Sequence, residues 1–157
     1  MCLFAGAQCF RKAAGEMPTS RLNTVMKYSI VSERALREIY FRVFEIALGI
    51  QKPGCLMTSY NALNGIYPTE SAEILQTLVR GEWGFDGMIM TDWCSYDTID
   101  PVEIVKAGTC WLTEGGGRYV NILKKAVKSG KRSEDILRDN AKYVIAWVLR
   151  AMKGAKK

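Results

Sequence analysis

Through residue 29 the apolar and polar positions follow neither a helical nor a strand rhythm, and from residue 30 the pattern becomes regular. Ser32 stands ahead of apolar residues at Leu36, Ile39, Tyr40, Val43 and Ala47. That spacing predicts an amphipathic helix capped by Ser32 and ending near Gly49, with Pro53 and Gly54 beyond it. The run Cys55 to Thr58 is too short for a helix and is bounded by turn residues, which predicts a buried parallel strand. After a loop holding Asn64-Gly65 and Pro68, the stretch from about Glu70 to Arg80 returns to helical spacing through Ile74, Leu75, Leu78 and Val79. Gly81, Gly84 and Gly87 then precede a second predicted strand, Met88 to Thr91.

Asp100 and Pro101 read as the cap and first position of a short helix closed by Gly108. Cys110 to Thr113 reads as a third strand leading into Gly115-Gly116-Gly117, a run that lacks the Lys-Ser/Thr pair of a phosphate loop. Two helices complete the pattern. One runs from Tyr119 to Ser129, and the other from Glu134 to Met152, capped by Ser133, with its apolar stripe on Leu137, Ala141, Val144, Ile145, Val148, Leu149 and Met152. The order α-β-α-β-α-β-α-α with apolar strands predicts an α/β fold in which about three parallel strands carry flanking helices, joined by right-handed crossovers. The organisation expected is a poorly patterned segment over 1–29, one domain over 30–152 and a basic tail over 153–157.

Composition narrows the chemistry. The 157 residues are 48% hydrophobic and 24% charged, with 22 Lys+Arg against 16 Asp+Glu and a formal net charge of +6. This is the make-up of one globular domain. The absence of histidine removes Ser-His-Asp and Cys-His catalysis and imidazole metal sites, leaving carboxylate chemistry open. Five cysteines, at Cys2, Cys9, Cys55, Cys94 and Cys110, are odd in number and form no CxxC pair, which points to a reducing, cytoplasmic setting rather than a disulfide framework. The apolar start, Met1 to Phe10, has no basic lead and is too short to span a membrane. The cations Lys124, Lys125, Lys128, Lys131 and Arg132 have no interleaved aromatics and read as solvated helix faces rather than a nucleic-acid surface. No metal or cofactor is implied.

In parallel α/β folds the functional groups gather at the carboxyl ends of the strands. Here those ends begin Ser59-Tyr60-Asn61, Asp92-Trp93-Cys94 and Glu114-Gly115-Gly116. From spacing alone Asp92 and Trp93 fit two roles, a turn cap beside a rim aromatic or a carboxylate nucleophile beside a sugar-stacking ring. The wider sequence separates them. Val31-Ser32-Glu33-Arg34-Ala35-Leu36-Arg37-Glu38-Ile39-Tyr40, Met57-Thr58-Ser59-Tyr60-Asn61 with Asn64-Gly65, Arg80-Gly81-Glu82-Trp83-Gly84-Phe85-Asp86-Gly87 and Met90-Thr91-Asp92-Trp93 together resemble glycoside hydrolase family 3, with its bacterial β-glucosidase branch the nearest match. The resemblance covers roughly residues 30 to 150. It implies a partial (β/α)₈ barrel of TIM type, the carboxyl-terminal part of the family's amino-terminal barrel, its strands standing as the sixth to eighth.

It also implies a retaining β-glucosidase acting on a β-glucoside or short β-glucan. Asp92 matches the nucleophile, Trp93 the aromatic beside the cleavage point, and Tyr60 a tyrosine next to the nucleophile. Arg34, Arg37 and Glu38 are expected to make surface or helix-to-helix pairs, and Trp83, Phe85 and the nearby glycines to shape a turn. The departures concern the family's Lys-His pair, which a chain without histidine does not carry, and its general acid/base, to which Glu114 is not assigned. Open strand edges predict self-association, or a first segment folded back to cover an edge. Three forms follow: an incomplete β-glucosidase, a split hydrolase completed by a partner chain or homo-oligomer, and a non-catalytic carbohydrate-binding or scaffold module.

Overall fold

The computed structural model describes residues 2–4, 28–93, 99–113, 115–130 and 134–154, of which 2–4 and 28 are described by their backbone only. Its centre is a three-stranded parallel sheet in the order β1 (Cys2–Phe4), β3 (Cys55–Met57), β5 (Met88–Met90). The register sets Cys2 beside Cys55 and Cys55 beside Met88. A second, two-stranded parallel pair joins β2 (Tyr28–Ser29) to β4 (Ala62–Leu63). Strands β3 and β5 stand where the apolar runs predict them. The edge of β3 is covered by the chain's own first residues.

The expected third strand, Cys110 to Thr113, is corrected. It is reduced to a single parallel bridge between Met90 and Trp111, because the amides of Cys110 and Trp111 both donate to the Ile89 carbonyl, at 2.8 and 3.1 Å. That doubled donation interrupts the even ladder of a parallel pair. Beyond it, threonine side chains take over from the backbone. The Thr113 amide donates to Thr91 Oγ1 at 2.8 Å, and Thr113 Oγ1 donates to the Thr91 carbonyl at 2.6 Å.

The first helical region has three parts: α1 (Glu33–Ala35), a π-type turn π1 (Leu36–Tyr40) and α2 (Arg42–Ile50). Ser32 Oγ accepts from the Ala35 amide at 3.2 Å, as its capping position predicts. At π1 the Phe41 amide reaches back five residues to the Leu36 carbonyl. One extra residue per turn rotates the face that follows. The inward positions therefore become Leu36, Phe41, Phe44 and Leu48, while Ile39 and Val43, expected inside, are 62% and 66% exposed.

The next helix, π2 (Glu73–Glu82), is π-type throughout and buries Leu75, Leu78 and Val79. It packs on the sheet through Leu48, Leu56, Phe85, Ile89 and Ala107. The short helix α3 (Pro101–Ala107) is built as predicted: Asp100 accepts from the Val102 amide at 2.9 Å, and Gly108 closes it at φ +103°. Helices α4 (Gly117–Lys128) and α5 (Glu134–Gly154) follow; Glu114 and the capping position Ser133 lie outside the described residues. The predicted inner stripe of α5 is corrected. Ile145, Val148, Leu149 and Met152 are exposed, whereas Leu137 of the stripe lies with Ile136 near Val102, Val105 and Leu123, and further contacts inward come from polar and aromatic side chains. Asn140 Nδ2 donates to the Val105 carbonyl at 2.7 Å, the Tyr143 ring lies under Arg80, and Arg150 pairs with Asp86 at 2.8 Å.

Arg80 ties these layers together. Its Nη1 donates to the carbonyls of Phe85 and Gly87, at 2.9 and 2.6 Å, and Nη2 donates to Cys110 Sγ at 3.6 Å. The guanidinium carbon lies 3.7 Å from the Tyr143 ring centre and 5.3 Å from that of Phe85. Burial pushes the guanidinium pKa below its ordinary value, while Nε has no hydrogen-bond partner. Desolvation of the cation is offset by carbonyls and ring faces. As expected, Arg37 makes a helix-to-helix pair, reaching Glu82 at 2.8 Å, and Arg34 makes a surface pair with Glu38.

Two outcomes follow from this packing. A Cβ on Gly87 would run into the Phe85 ring and stand 2.8 Å from the Gly54 carbonyl, so Gly87→Ala should lower unfolding stability by about 2 kcal/mol, as overpacking typically does, in urea titrations. The Asp86 carboxyl is held below its usual range chiefly by the hydrogen bond from Arg150. A lowered pKa gives stability that is complete above the unfolded value of about 3.9 and lost as pH falls through the folded one. Because the pair is more than half exposed, Asp86→Asn should cost under about 1 kcal/mol near neutral pH and nothing at about pH 2.

Candidate active site

Parallel strands deliver their carboxyl ends to one side of the sheet, so the residues after β3 and β5 meet there. The sequence signal was the threonine that closes each apolar run: Thr58, Thr91 and Thr113. The Thr58 amide donates to the Met90 carbonyl at 2.9 Å and the Thr91 amide to the Trp111 carbonyl at 2.9 Å. Thr91 and Thr113 are 0% and 3% exposed. The rim that carries Tyr60, Asp92 and Trp93 is thus pinned by buried hydroxyls, and the motif reading did not assign these threonines a role.

Asp92 follows β5 directly after Thr91 and is half-buried. Its Oδ1 accepts from the Trp93 amide at 2.7 Å. The pleat explains its orientation. Leu56 and Ile89 share one face and pack into the helical layer, so Met88, Met90 and, two residues on, Asp92 belong to the opposite face. Trp93 lies on a turn with its side chain 54% exposed. Tyr60 follows β3 by three residues and is half-buried between Ser59 and Asn61, both buried. Continuing the β3–β5 register past Met57 and Met90 sets Ser59 level with Asp92 and Tyr60 level with Trp93. The three residues singled out from the sequence therefore stand at one end of the sheet, on neighbouring strands.

The loop beyond Tyr60 is closed by Asn64, at φ +52°. Asn64 Oδ1 accepts from the Val31 amide and Nδ2 donates to the Val31 carbonyl, both at 2.8 Å. A side-chain amide thus extends the β2–β4 pairing, which explains the Asn-Gly at this turn. An apolar cavity of about 70 Å³, lined by Phe41, Phe44, Leu56, Ile74, Val79 and Ile89 among others, belongs to the packing between helices and sheet. Among the described residues, no group of three or more Cys, Asp or Glu side chains is placed to hold a metal ion, and no helix is long and apolar enough to cross a membrane.

An acid and a large aromatic thus stand together at the carboxyl end of a parallel strand on an α/β scaffold. The chain belongs to glycosyl hydrolase family 3: the profile described as "Glycosyl hydrolase family 3 N terminal domain" matches residues 20–146. It is 40% identical over 121 residues to probable β-glucosidase J of Emericella nidulans, covering 76% of this chain and 14% of that protein. It superposes on β-glucosidase 3B from Thermotoga neapolitana with a TM-score of 0.74 at 38% identity, covering 81% of this chain and 19% of that one. Against the β-glucosidase from Kluyveromyces marxianus in complex with glucose the TM-score is 0.78 at 31% identity, covering 83% and 16%. The chain therefore spans less than a fifth of the length of these relatives. The expected bacterial affinity is not supported, since fungal proteins are at least as similar.

The threonine pair beside Asp92 can be tested directly. Thr91→Val removes the acceptor of the buried Thr113 amide, and should lower unfolding stability by about 1–3 kcal/mol in chemical denaturation, the cost of an orphaned buried donor.

Proposed function

We propose that this chain carries the nucleophile of a retaining β-glucosidase on the last strands of a partial (β/α)₈ barrel. The domain proposed is 30–152, corresponding to the carboxyl-terminal part of the family's amino-terminal barrel. The observation that carries the reading is the position of Asp92, first after the threonine that ends β5, on the sheet face turned away from the helices and next to an exposed indole. The Asp92 carboxylate attacks the anomeric carbon of a β-glucoside or short β-glucan, the leaving group departs with its oxygen, and water opens the glycosyl ester. Trp93 offers its ring to the sugar's C–H groups, and Tyr60 steadies the carboxylate and the ring hydroxyls. A reducing, cytoplasmic setting is part of the same proposal and rests on the odd number of cysteines and the lack of a CxxC pair.

Retention requires a second carboxyl about 5 Å from the first. Among the described residues, the first three positions beyond β3 and β5 hold one acid, Asp92; Glu114, after the Trp111 segment, lies outside the described residues. The chain's coverage of less than a fifth of its relatives favours a second reading, in which it binds carbohydrate without turning it over, or a complementing chain or second copy supplies the acid.

An activated aryl glucoside distinguishes these. A 2,4-dinitrophenyl leaving group needs no protonation, so the full chain should release dinitrophenol from the β-glucoside, and Asp92→Asn should reduce the rate by roughly 10³-fold or more, as loss of a nucleophile does. With the 2-deoxy-2-fluoro analogue, mass spectrometry should find the sugar on the peptide containing Asp92. No release and no adduct at high protein concentration would overturn the catalytic reading. Glucose binding that survives Asp92→Asn but is lost in Trp93→Ala would establish the binding one.

A further inference from the structure

The geometry points to Trp111 as a second sugar-stacking residue, forming the floor of the site beneath Asp92; this rests on the reading of Asp92 and Trp93 as a sugar site. Trp111 is paired with Met90 across a parallel bridge. Partners in register on a pleated sheet send their side chains to the same face. For Met90 that is the face opposite Leu56 and Ile89, which pack into the helices. Trp111 thus shares its face with Asp92, on the neighbouring segment of the sheet and two residues lower. At a rise of ~3.3 Å per residue and a strand spacing of ~4.8 Å, their Cα atoms stand about 8 Å apart, within the span of an indole and a carboxylate side chain.

The side chain is available for contact. Trp111 is 47% exposed although its backbone is tied on both sides, its amide donating to Ile89 and its carbonyl accepting from Thr91. The other two tryptophans are engaged elsewhere. Trp83 packs edge-on against Phe41 and Trp147 stands against Gly54. An exposed indole held on a fixed backbone presents a flat apolar surface at low entropic cost, which suits the C–H face of a pyranose. Trp93 at the rim and Trp111 below it would bracket a sugar whose anomeric carbon reaches Asp92. The chemical class this selects is a pyranoside with an uninterrupted C–H face, bound by two rings rather than one.

The four indole N–H signals of the full chain provide the test, each assigned through its Trp→Phe variant. Methyl β-thioglucoside, which is not hydrolysed, is titrated in. The Trp93 and Trp111 signals should move along the same saturation curve while those of Trp83 and Trp147 stay in place. Trp111→Leu should weaken binding roughly tenfold, the loss expected on uncovering one apolar ring face, and Trp111→Phe should restore most of it. Movement of Trp93 with Trp111 stationary would overturn the role of Trp111 and leave the sugar site intact. If no signal moves, or all four move together, the sugar site itself is overturned and the inference with it.

Discussion

The guanidinium of Arg80 is the point at which helix, turn, sheet and final helix meet. A cation taken half out of water is tolerated only where its donors find acceptors and its faces find rings. Arg80 has the carbonyls of Phe85 and Gly87 ahead of β5, Cys110 Sγ beside the sheet, and the Tyr143 ring of α5. The position of β5 along its own axis, and hence the height of Asp92 above the sheet, depends on those carbonyls being held. The glycines around the turn have the same origin, since at Gly87 any side chain would displace Phe85. No carboxylate is paired with Arg80 among the described residues, so the site of greatest structural consequence is also one with an unspent hydrogen-bond donor at Nε.

From β5 the arrangement passes to the rim through hydroxyl groups. Thr113 donates twice to Thr91, its amide to the Thr91 hydroxyl and its own hydroxyl to the Thr91 carbonyl, replacing a strand pairing that the doubled donation to Ile89 interrupts. The result is a stiff edge with irregular backbone, which allows Trp111 to keep its ring exposed while its main chain is fixed. Side chains placed on such a rim are positioned by the sheet and not by loop closure.

Much of this was legible in the sequence. The apolar runs at Cys55 and Met88 gave strands in the predicted places, the caps at Ser32 and Asp100 formed as their residue types require, and strand-end logic brought Tyr60, Asp92 and Trp93 to one side. What escaped was of two physical kinds. Periodicity assumes 3.6 residues per turn, and the wide turn at Leu36–Tyr40 shifts the phase, so Ile39 and Val43 face out. Apolar patterning likewise assigned α5 its inner face by hydrophobicity, whereas Asn140, Tyr143 and Arg150 dock it through a carbonyl, a cation and a carboxylate. The pairing of Cys2–Phe4 with β3 answers the expectation that the first segment covers an open edge, but which residues do so had no local signal, because three residues without alternation become a strand only when an edge is offered to them.

That pairing bears on the order in which the molecule assembles. Strands β3 and β5 are joined through π2, a compact βαβ unit whose closure spans a modest loop. Strand β1 pairs with the other edge of β3 across a longer separation in sequence, Phe4 to Cys55 against Met57 to Met88. Loop-closure entropy rises with the length enclosed, and non-local parallel contacts are slow to form. The β3–β5 pairing, which carries Thr58, Thr91 and Asp92 with it, is therefore the less costly of the two to close, and the β1–β3 pairing the more costly.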